Sequence, residues 1–241
     1  MILYILLILL LLYIVVSNTK EGFENKPNKT NKTFIDDNIY DNFYSKLYDN
    51  IWDMIPFYKS QIELMKPYFF TTNNFLCFDC KTGHMPQLLS DNMKVVGIDK
   101  SKDMIEMSKE KYSHIPFIQG DCNPSIFKSN LFTHIYCPLF SINTKDIDLF
   151  FECVDKWLIS KGILFIITYD TKINISKFII SNSSIDYSVE LTNTITEKIT
   201  FNNIKRTNIQ YLNDVEFNYY KLLNKIEIPN YSCYLNIYQK N

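Results

Sequence analysis

The sequence predicts an α/β fold, a doubly wound mixed sheet preceded by an N-terminal transmembrane helix. Three observations carry that prediction. Short apolar segments alternate with helical ones between residues 74 and 170, which implies a mainly parallel sheet with helices on both faces. Those short segments are almost continuously apolar, as expected of strands buried on both sides. Residues 1–16, MILYILLILLLLYIVV, carry no charged side chain.

At about 1.5 Å per residue the opening run is about 24 Å long, slightly short of a hydrocarbon core of about 30 Å. Tyr4 and Tyr13 stand near its ends, where interfacial aromatics sit. A cleaved signal peptide has a positive leading region and a small-residue cleavage site. Here no charge precedes the run, and Ser17-Asn18-Thr19 matches such a site poorly. The run is therefore read as an uncleaved, single-pass anchor. Lys20, Lys26, Lys29 and Lys32 follow it, so the positive-inside rule places the rest of the chain in the cytosol. Sequons at Asn28, Asn31, Asn174, Asn182 and Asn230 would be glycan acceptors on the other side, but chance matches are expected in an Asn-rich chain. Residues 17–35 are polar and unpatterned, a flexible linker, and 36–241 are read as one folded domain.

A chain of 241 residues, 46% hydrophobic, suffices for one well-buried domain. A net charge of -1 gives no electrostatic footprint for nucleic acid. The six cysteines lack the spacing of a disulfide scaffold and are read as free thiols in a reducing compartment. Cys77 and Cys80 form a CxxC without a second ligand pair, so no metal site is expected. Only 5 glycines are present, so asparagine is expected at some left-handed turn positions.

In residues 36–66, Tyr40, Phe43, Tyr44, Leu47, Tyr48 and Ile51 recur close to a 3/4 spacing. Pro56 interrupts, so two helices are expected. The aromatic stripe is read first as core packing. NFLCFDC is a strand, and HMPQLLSDN a short helix. KVVGID, 94–99, is a strand, followed by a helix that Ser101 caps. IPFIQGD is a strand ending at Asp121, and LFTHIYC, 131–137, is another. TKDIDLFFECVDKWLISK is an amphipathic helix, and GILFIITYD, 162–170, a strong strand. Beyond Asp170, alternation over IDYSVELTNTITEKITFNNIKRTNIQY predicts hairpin strands with Asn202-Asn203 at a turn. DVEFNYYKLLNKI is expected to be helical and YSCYLNIYQK a closing strand. The hairpin is expected to finish the parallel sheet as an antiparallel edge.

Ligands of doubly wound sheets bind beyond the carboxyl ends of the strands. Those ends carry the turn Asp79-Cys80-Lys81-Thr82-Gly83, then Asp99, then Asp121. An acid ending the second strand can accept from both hydroxyls of a ribose. A carboxylate at the third can accept from an exocyclic amine of adenine. The set points to a small molecule containing adenosine.

These blocks resemble, in order and spacing, those of the class I S-adenosylmethionine-dependent methyltransferases of the small-molecule type. FLCFDCKTG stands where that family has VLDxGCGTG, with Cys80, Thr82 and Gly83 matching. VVGIDKSKDMIEMSKEK is similar to its second block, GxDxSxxMxxxA, and FIQGDC to its third. NLFTHIYC resembles FDxIxC, and VDKWLISKGILFI resembles xxRxLKPGGxLxI. The likeness covers about residues 36–170. It implies a Rossmann-like, seven-stranded methyltransferase-type sheet, with S-adenosyl-L-methionine as cofactor and a small-molecule or lipid-proximal acceptor. It implies cofactor-binding roles for Asp79, Lys81, Gly83, Asp99, Lys100, Asp121 and Cys122, and for Tyr44, with Tyr48, on a covering helix. In CPLFSINT, Cys137 and Phe140 would face the transferred methyl group, and no catalytic residue is assigned. That segment is not N/D-P-P-[YF], which argues against methylation of nucleic-acid bases. His84, His114 and His134 are isolated and read as structural or surface residues.

The chain also departs from the family. The acid of the first strand is Cys77, the two loop glycines are Asp79 and Lys81, the aspartate of the fourth strand is Thr133, and a glycine before the fifth is Lys161. Asp79 can take over the cofactor's ammonium group and Lys81 its carboxylate. The alternative is a loop that no longer meets a cofactor, on a catalytically inactive binding or scaffold protein. A nicotinamide-dinucleotide protein is disfavoured, because the turn lacks G-x-G-x-x-G.

Overall fold

The computed structural model describes residues 31–91, 93–170, 173–213 and 219–241. The predicted anchor, residues 1–16, and most of the predicted linker lie outside them. Among the described residues no helix is long and apolar enough to cross a membrane.

The seven-stranded mixed sheet is present. Its strands are β2 (Asn74–Cys77), β3 (Lys94–Asp99), β4 (Phe117–Gln119), β5 (Phe132–Cys137), β6 (Leu158–Tyr169), β10 (Lys221–Ile228) and β11 (Cys233–Gln239), in the spatial order β10-β11-β6-β5-β2-β3-β4. The five strands from β6 to β4 run parallel, and β11 is antiparallel to both β6 and β10. The order reverses between β2 and β5, where a switch-point crevice is expected. Period-2 alternation puts Phe75 and Cys77 in one core and Leu76 and Phe78 in the other.

Among the described residues five α-helices flank the sheets: α1 (Asn42–Ile51), α2 (Ile55–Met65), α3 (His84–Ser90), α4 (Lys102–Lys111) and α5 (Ile147–Trp157). Their starts follow local chemistry. Asp41 accepts from the Tyr44 amide, Ser101 from the Met104 amide and Asp146 from the Leu149 amide, each satisfying an orphan donor. Pro56 stands in the first turn of α2, where its missing N–H costs nothing.

Four expectations are corrected. The hairpin strands do not finish the large sheet. β7 (Asp186–Leu191), β8 (Thr194–Phe201) and β9 (Ile204–Tyr211) form a second sheet with β1 (Lys32–Ile35), in the order β1-β9-β8-β7. Residues 32–35, read as linker, are thus a strand paired parallel to β9. The predicted Asn202-Asn203 turn is there, with both residues at positive φ, 47° and 64°, as a two-residue hairpin turn demands.

Residues 221–226, expected to be helical, belong to the edge strand β10. Leu222, Leu223 and Ile226 imitate a helical spacing, but backbone pairing with β11 decides. Leu158–Lys161, read as the end of a helix, opens β6. Lys161 there has φ 62° at a register shift between β5 and β6.

The small sheet roofs one end of the large one. Ile199 of β8 packs with Leu47, Tyr48 and Ile51 of α1. Arg206 of β9 is buried and donates to Asp41, to the Ile39 carbonyl and to Asn208. Its guanidinium lies 3.8 Å from the Phe34 ring centroid, so it ties the roof to the start of α1.

Candidate functional site

The loop after β2 keeps a glycine-type backbone without glycines. Asp79 has φ 41° and Lys81 has φ 50°, followed by Gly83 at 88°. Left-handed backbone costs a non-glycine residue about 1 kcal/mol or more. The fold holds both in place. The Cys80 amide donates to the Ile98 carbonyl, and the Gly83 amide to the Cys80 carbonyl. A Cβ on Gly83 would lie 2.8 Å from Phe117 and 2.9 Å from Ser108, so this glycine is required for packing as well as for φ. Thr82 is fixed from outside by Asp49 of α1, at 2.6 Å.

The loop presents its side chains to a dense charge cluster. Asp99, only 1% exposed, accepts from the Lys81 amide at 2.9 Å and the Ser101 amide at 3.0 Å. The Lys81 ammonium is 4.0 Å from the same carboxylate and 3.7 Å from the Tyr40 ring centroid. Lys145 bridges the other two acids, 3.0 Å from Asp79 and 2.7 Å from Asp121, and its side chain is 3% exposed. Ser141 also donates to Asp79. The two buried acids are pushed apart. Burial raises the Asp99 carboxyl above its ordinary value, with Lys81 pulling the other way. Burial also acts to raise Asp79, but Lys145, Lys81 and the Ser141 hydrogen bond outweigh it and hold that carboxyl well below the usual range. Burial acts to lower both lysines, but Tyr40 with Asp99 raises Lys81, and Asp79 with Asp121 raises Lys145, above the ordinary value.

Two hollows meet at this cluster. One, of about 530 Å³, opens beside Asp121, Cys122, Lys100 and Lys145. The other, of about 60 Å³, is lined by Tyr40, Tyr44, Tyr48 and Trp52, with Asp79, Lys81, Phe140 and Glu197. Lys145 lines the first and Asp79 the second, so their ion pair stands between the two.

The structure therefore brings together Asp79, Lys81, Asp99 and Asp121, with Tyr44 on the wall of the small cavity and Cys122, Lys100 and Gly83 around them. Lys100 pairs outward with Asp37, and the Cys122 amide donates to Asp121. Phe140 lines the small cavity. Cys137 does not: it is fully buried in the opposite core with Phe78 and Phe150, and burial pushes its thiol up to about 12. Cys77 and Cys80 are buried free thiols, and among the described residues no group of side chains has metal-ligand geometry.

Sequence reasoning missed two residues of the site. Lys145 carries no local signal, because its partners are 66 and 24 residues away. Glu197 did carry one. It stands between Ile195 and Ile199 on the inward face of an alternating strand, where an acid is out of place. The Tyr44 and Tyr187 hydroxyls and the Asn208 amide all donate to it.

Residues 76–166 match the family described as "Methyltransferase domain". No curated protein matches the chain in sequence. Among solved structures, a protein from Pyrococcus horikoshii is similar at a TM-score of 0.64 and 20% identity, over 83% of this chain and 99% of that one. A SAM-bound amino pentose methyltransferase from Micromonospora echinaspora reaches 0.61 at 9% identity, over 83% and 97%. An S-adenosylmethionine-dependent methyltransferase from Clostridium acetobutylicum reaches 0.57 at 14% identity, over 83% and 96%. Such low identities speak for the fold alone, while the family match covers the segment that runs from β2 into β6. Residues 76–166 thus match the methyltransferase-domain family, and the chain has a fold shared with S-adenosylmethionine-dependent methyltransferases.

Proposed function

We propose that this protein is a membrane-anchored methyltransferase that moves the methyl group of S-adenosylmethionine to a small-molecule acceptor, with its domain in the cytosol. The observation that carries the reading is the loop backbone. Asp79 and Lys81 replace family glycines yet keep the left-handed conformation, beside an Asp99 that still ends β3. Strain of this kind persists only where the surroundings over-determine it, and it clusters at functional sites.

The residues fit the cofactor in kind. Each acid that would meet a donor of the cofactor already holds an N–H donor or an ammonium of the chain itself. Lys145 is the stand-in cation on Asp79 and Asp121, and Lys81 stands beside Asp99. With the cofactor bound, Asp99 would hold the ribose hydroxyls, Asp121 the exocyclic amine, Asp79 the ammonium group and Lys81 the carboxylate. The cofactor supplies a methyl group already activated on a sulfonium. What remains for the protein is positioning and exclusion of water. Tyr44, Tyr48 and Trp52 wall the cavity beside Lys81, and the small sheet roofs it, so an acceptor there is shielded from solvent.

Calorimetric titration of the full chain with S-adenosylmethionine and S-adenosylhomocysteine tests this reading. Micromolar binding, lost in Asp99→Ala, is expected. Lys81→Gly is expected to weaken binding about ten-fold, the worth of one charge-assisted contact. Unchanged or tighter binding in that variant would refute the role given to Lys81. The second reading, an inactive binding protein, is favoured by one observation. The buried Lys145–Asp79 pair stands in the groove, and the hollow beyond it is only about 60 Å³. Absence of binding to a folded sample would establish it.

The anchoring rests on the apolar run of residues 1–16 and the lysines after it. Glycosidase treatment of cell-expressed protein is expected to leave its gel mobility unchanged. A mobility shift would place the domain on the opposite side.

A further inference from the structure

The small cavity has the composition of a cation cage. Its walls are the rings of Tyr40, Tyr44, Tyr48, Trp52 and Tyr58, and one wall carries the Glu197 carboxylate. Aromatic faces attract cations through the ring quadrupole, and desolvation strengthens the effect. Glu197 is 4% exposed and makes no ion pair among the described residues. Its partners Tyr44, Tyr187 and Asn208 are neutral donors that fix its position without neutralising its charge. Burial of a carboxylate without a cation is costly, and a cationic guest would relieve that cost. The chain already shows one such guest: the Lys81 ammonium enters the cavity and sits 3.7 Å from the Tyr40 centroid.

We propose that the Tyr40–Tyr44–Tyr48–Trp52–Glu197 cavity is a recognition site for a cationic nitrogen, so that the acceptor is a small molecule bearing an ammonium or methylated ammonium group. The substrate assignment rests on the methyltransferase reading; the cation site itself does not. Lys81 is the internal competitor. When it turns to the cofactor's carboxylate it vacates the cage, so cofactor and acceptor occupy the site together. Neutral acceptors of the same shape leave Glu197 uncompensated and are discriminated against.

The test uses Trp52 fluorescence of the full chain, with choline and its uncharged isostere, in which carbon replaces nitrogen, as probes. Choline is expected to bind on the order of ten-fold more tightly than the isostere, the scale of a desolvated cation–π contact. Lys81→Met removes the competitor and is expected to tighten choline binding about ten-fold. Glu197→Gln keeps the rings but removes the carboxylate, and is expected to reduce the preference. Equal binding of the two probes, or no gain in Lys81→Met, overturns the proposal, and neither arm depends on the folding of the Glu197 variant. The S-adenosylmethionine titration separates the two readings. Choline selectivity without cofactor binding would leave the cage and remove methyl transfer. Cofactor binding without selectivity would do the reverse.

Discussion

Lys145→Met is expected to lower the unfolding free energy by about 3–5 kcal/mol at neutral pH, the usual loss when one partner of a buried ion pair is removed. The side chain is 3% exposed and holds Asp79, itself 7% exposed at the side chain, against the loop. Without it, Asp79 keeps Ser141 and the more distant Lys81 but loses its direct cation. The pH dependence has a definite sign. Asp79 is held below its ordinary value in the folded protein, so its contribution is complete above about pH 4 and fades as acid protonates the carboxylate. The gap between wild type and variant is therefore widest at neutral pH and closes towards low pH. Urea unfolding at several pH values reads it. A Lys145→Met protein as stable as wild type at pH 7 would mean that the pair does not hold the loop.

The same variant bears on binding. If Asp79 and Asp121 hold the cofactor as proposed, the incoming groups would have to replace the two contacts that the Lys145 ammonium makes in the wild type. In Lys145→Met that competition is gone, so apparent affinity for S-adenosylmethionine is expected to rise even as stability falls. Opposite movement of the two quantities distinguishes a cation that occupies the site from one that merely braces it, since a brace would lower both.

The parts of this fold legible in the sequence are those governed by neighbours in the chain. Ser101 caps α4 and Asn202-Asn203 makes the hairpin turn because each acts within a few residues. The acids at or just past the strand ends were legible because each apolar run stops there. What failed was decided at long range. Lys221–Ile228 is a strand because β11 offers an edge, although its leucines are spaced like a helix. The second sheet was hidden because alternation shows a strand but not which sheet it joins. Lys145 was invisible because a lone lysine in a loop has no signature until the fold carries it to Asp79. At Asp79, Lys81 and Lys161 the residue type argued for lost turns. The backbone kept them, with φ of 41°, 50° and 62°, because surrounding hydrogen bonds and strand pairing outweigh a strain of about 1 kcal/mol at each.

Acid should loosen the strands that present this loop, through His134. The imidazole is fully buried on β5, stacked 4.4 Å from Phe75 and 5.9 Å from Phe165. Its Nε2 donates to the Tyr68 carbonyl at 3.0 Å, and Nδ1 accepts from Thr133 at 2.8 Å. Burial drives its pKa down to about 4 from 6.5, with the Tyr68 hydrogen bond opposing only in part. Between these values the unfolded chain binds a proton that the folded one refuses. Stability is therefore intact above about pH 6.5 and falls as pH drops towards 4, by about 3 kcal/mol in all. Phe75, the ring against which His134 stacks, lies on β2, and β2 leads directly into Asp79. His134→Phe keeps the stack and removes the titration. The variant is expected to lose some stability at pH 7, where the Tyr68 carbonyl is left without its donor, and to show a shallower decline from about pH 6.5 to 4. Parallel declines in wild type and variant would show that His134 is not the group that takes up the proton.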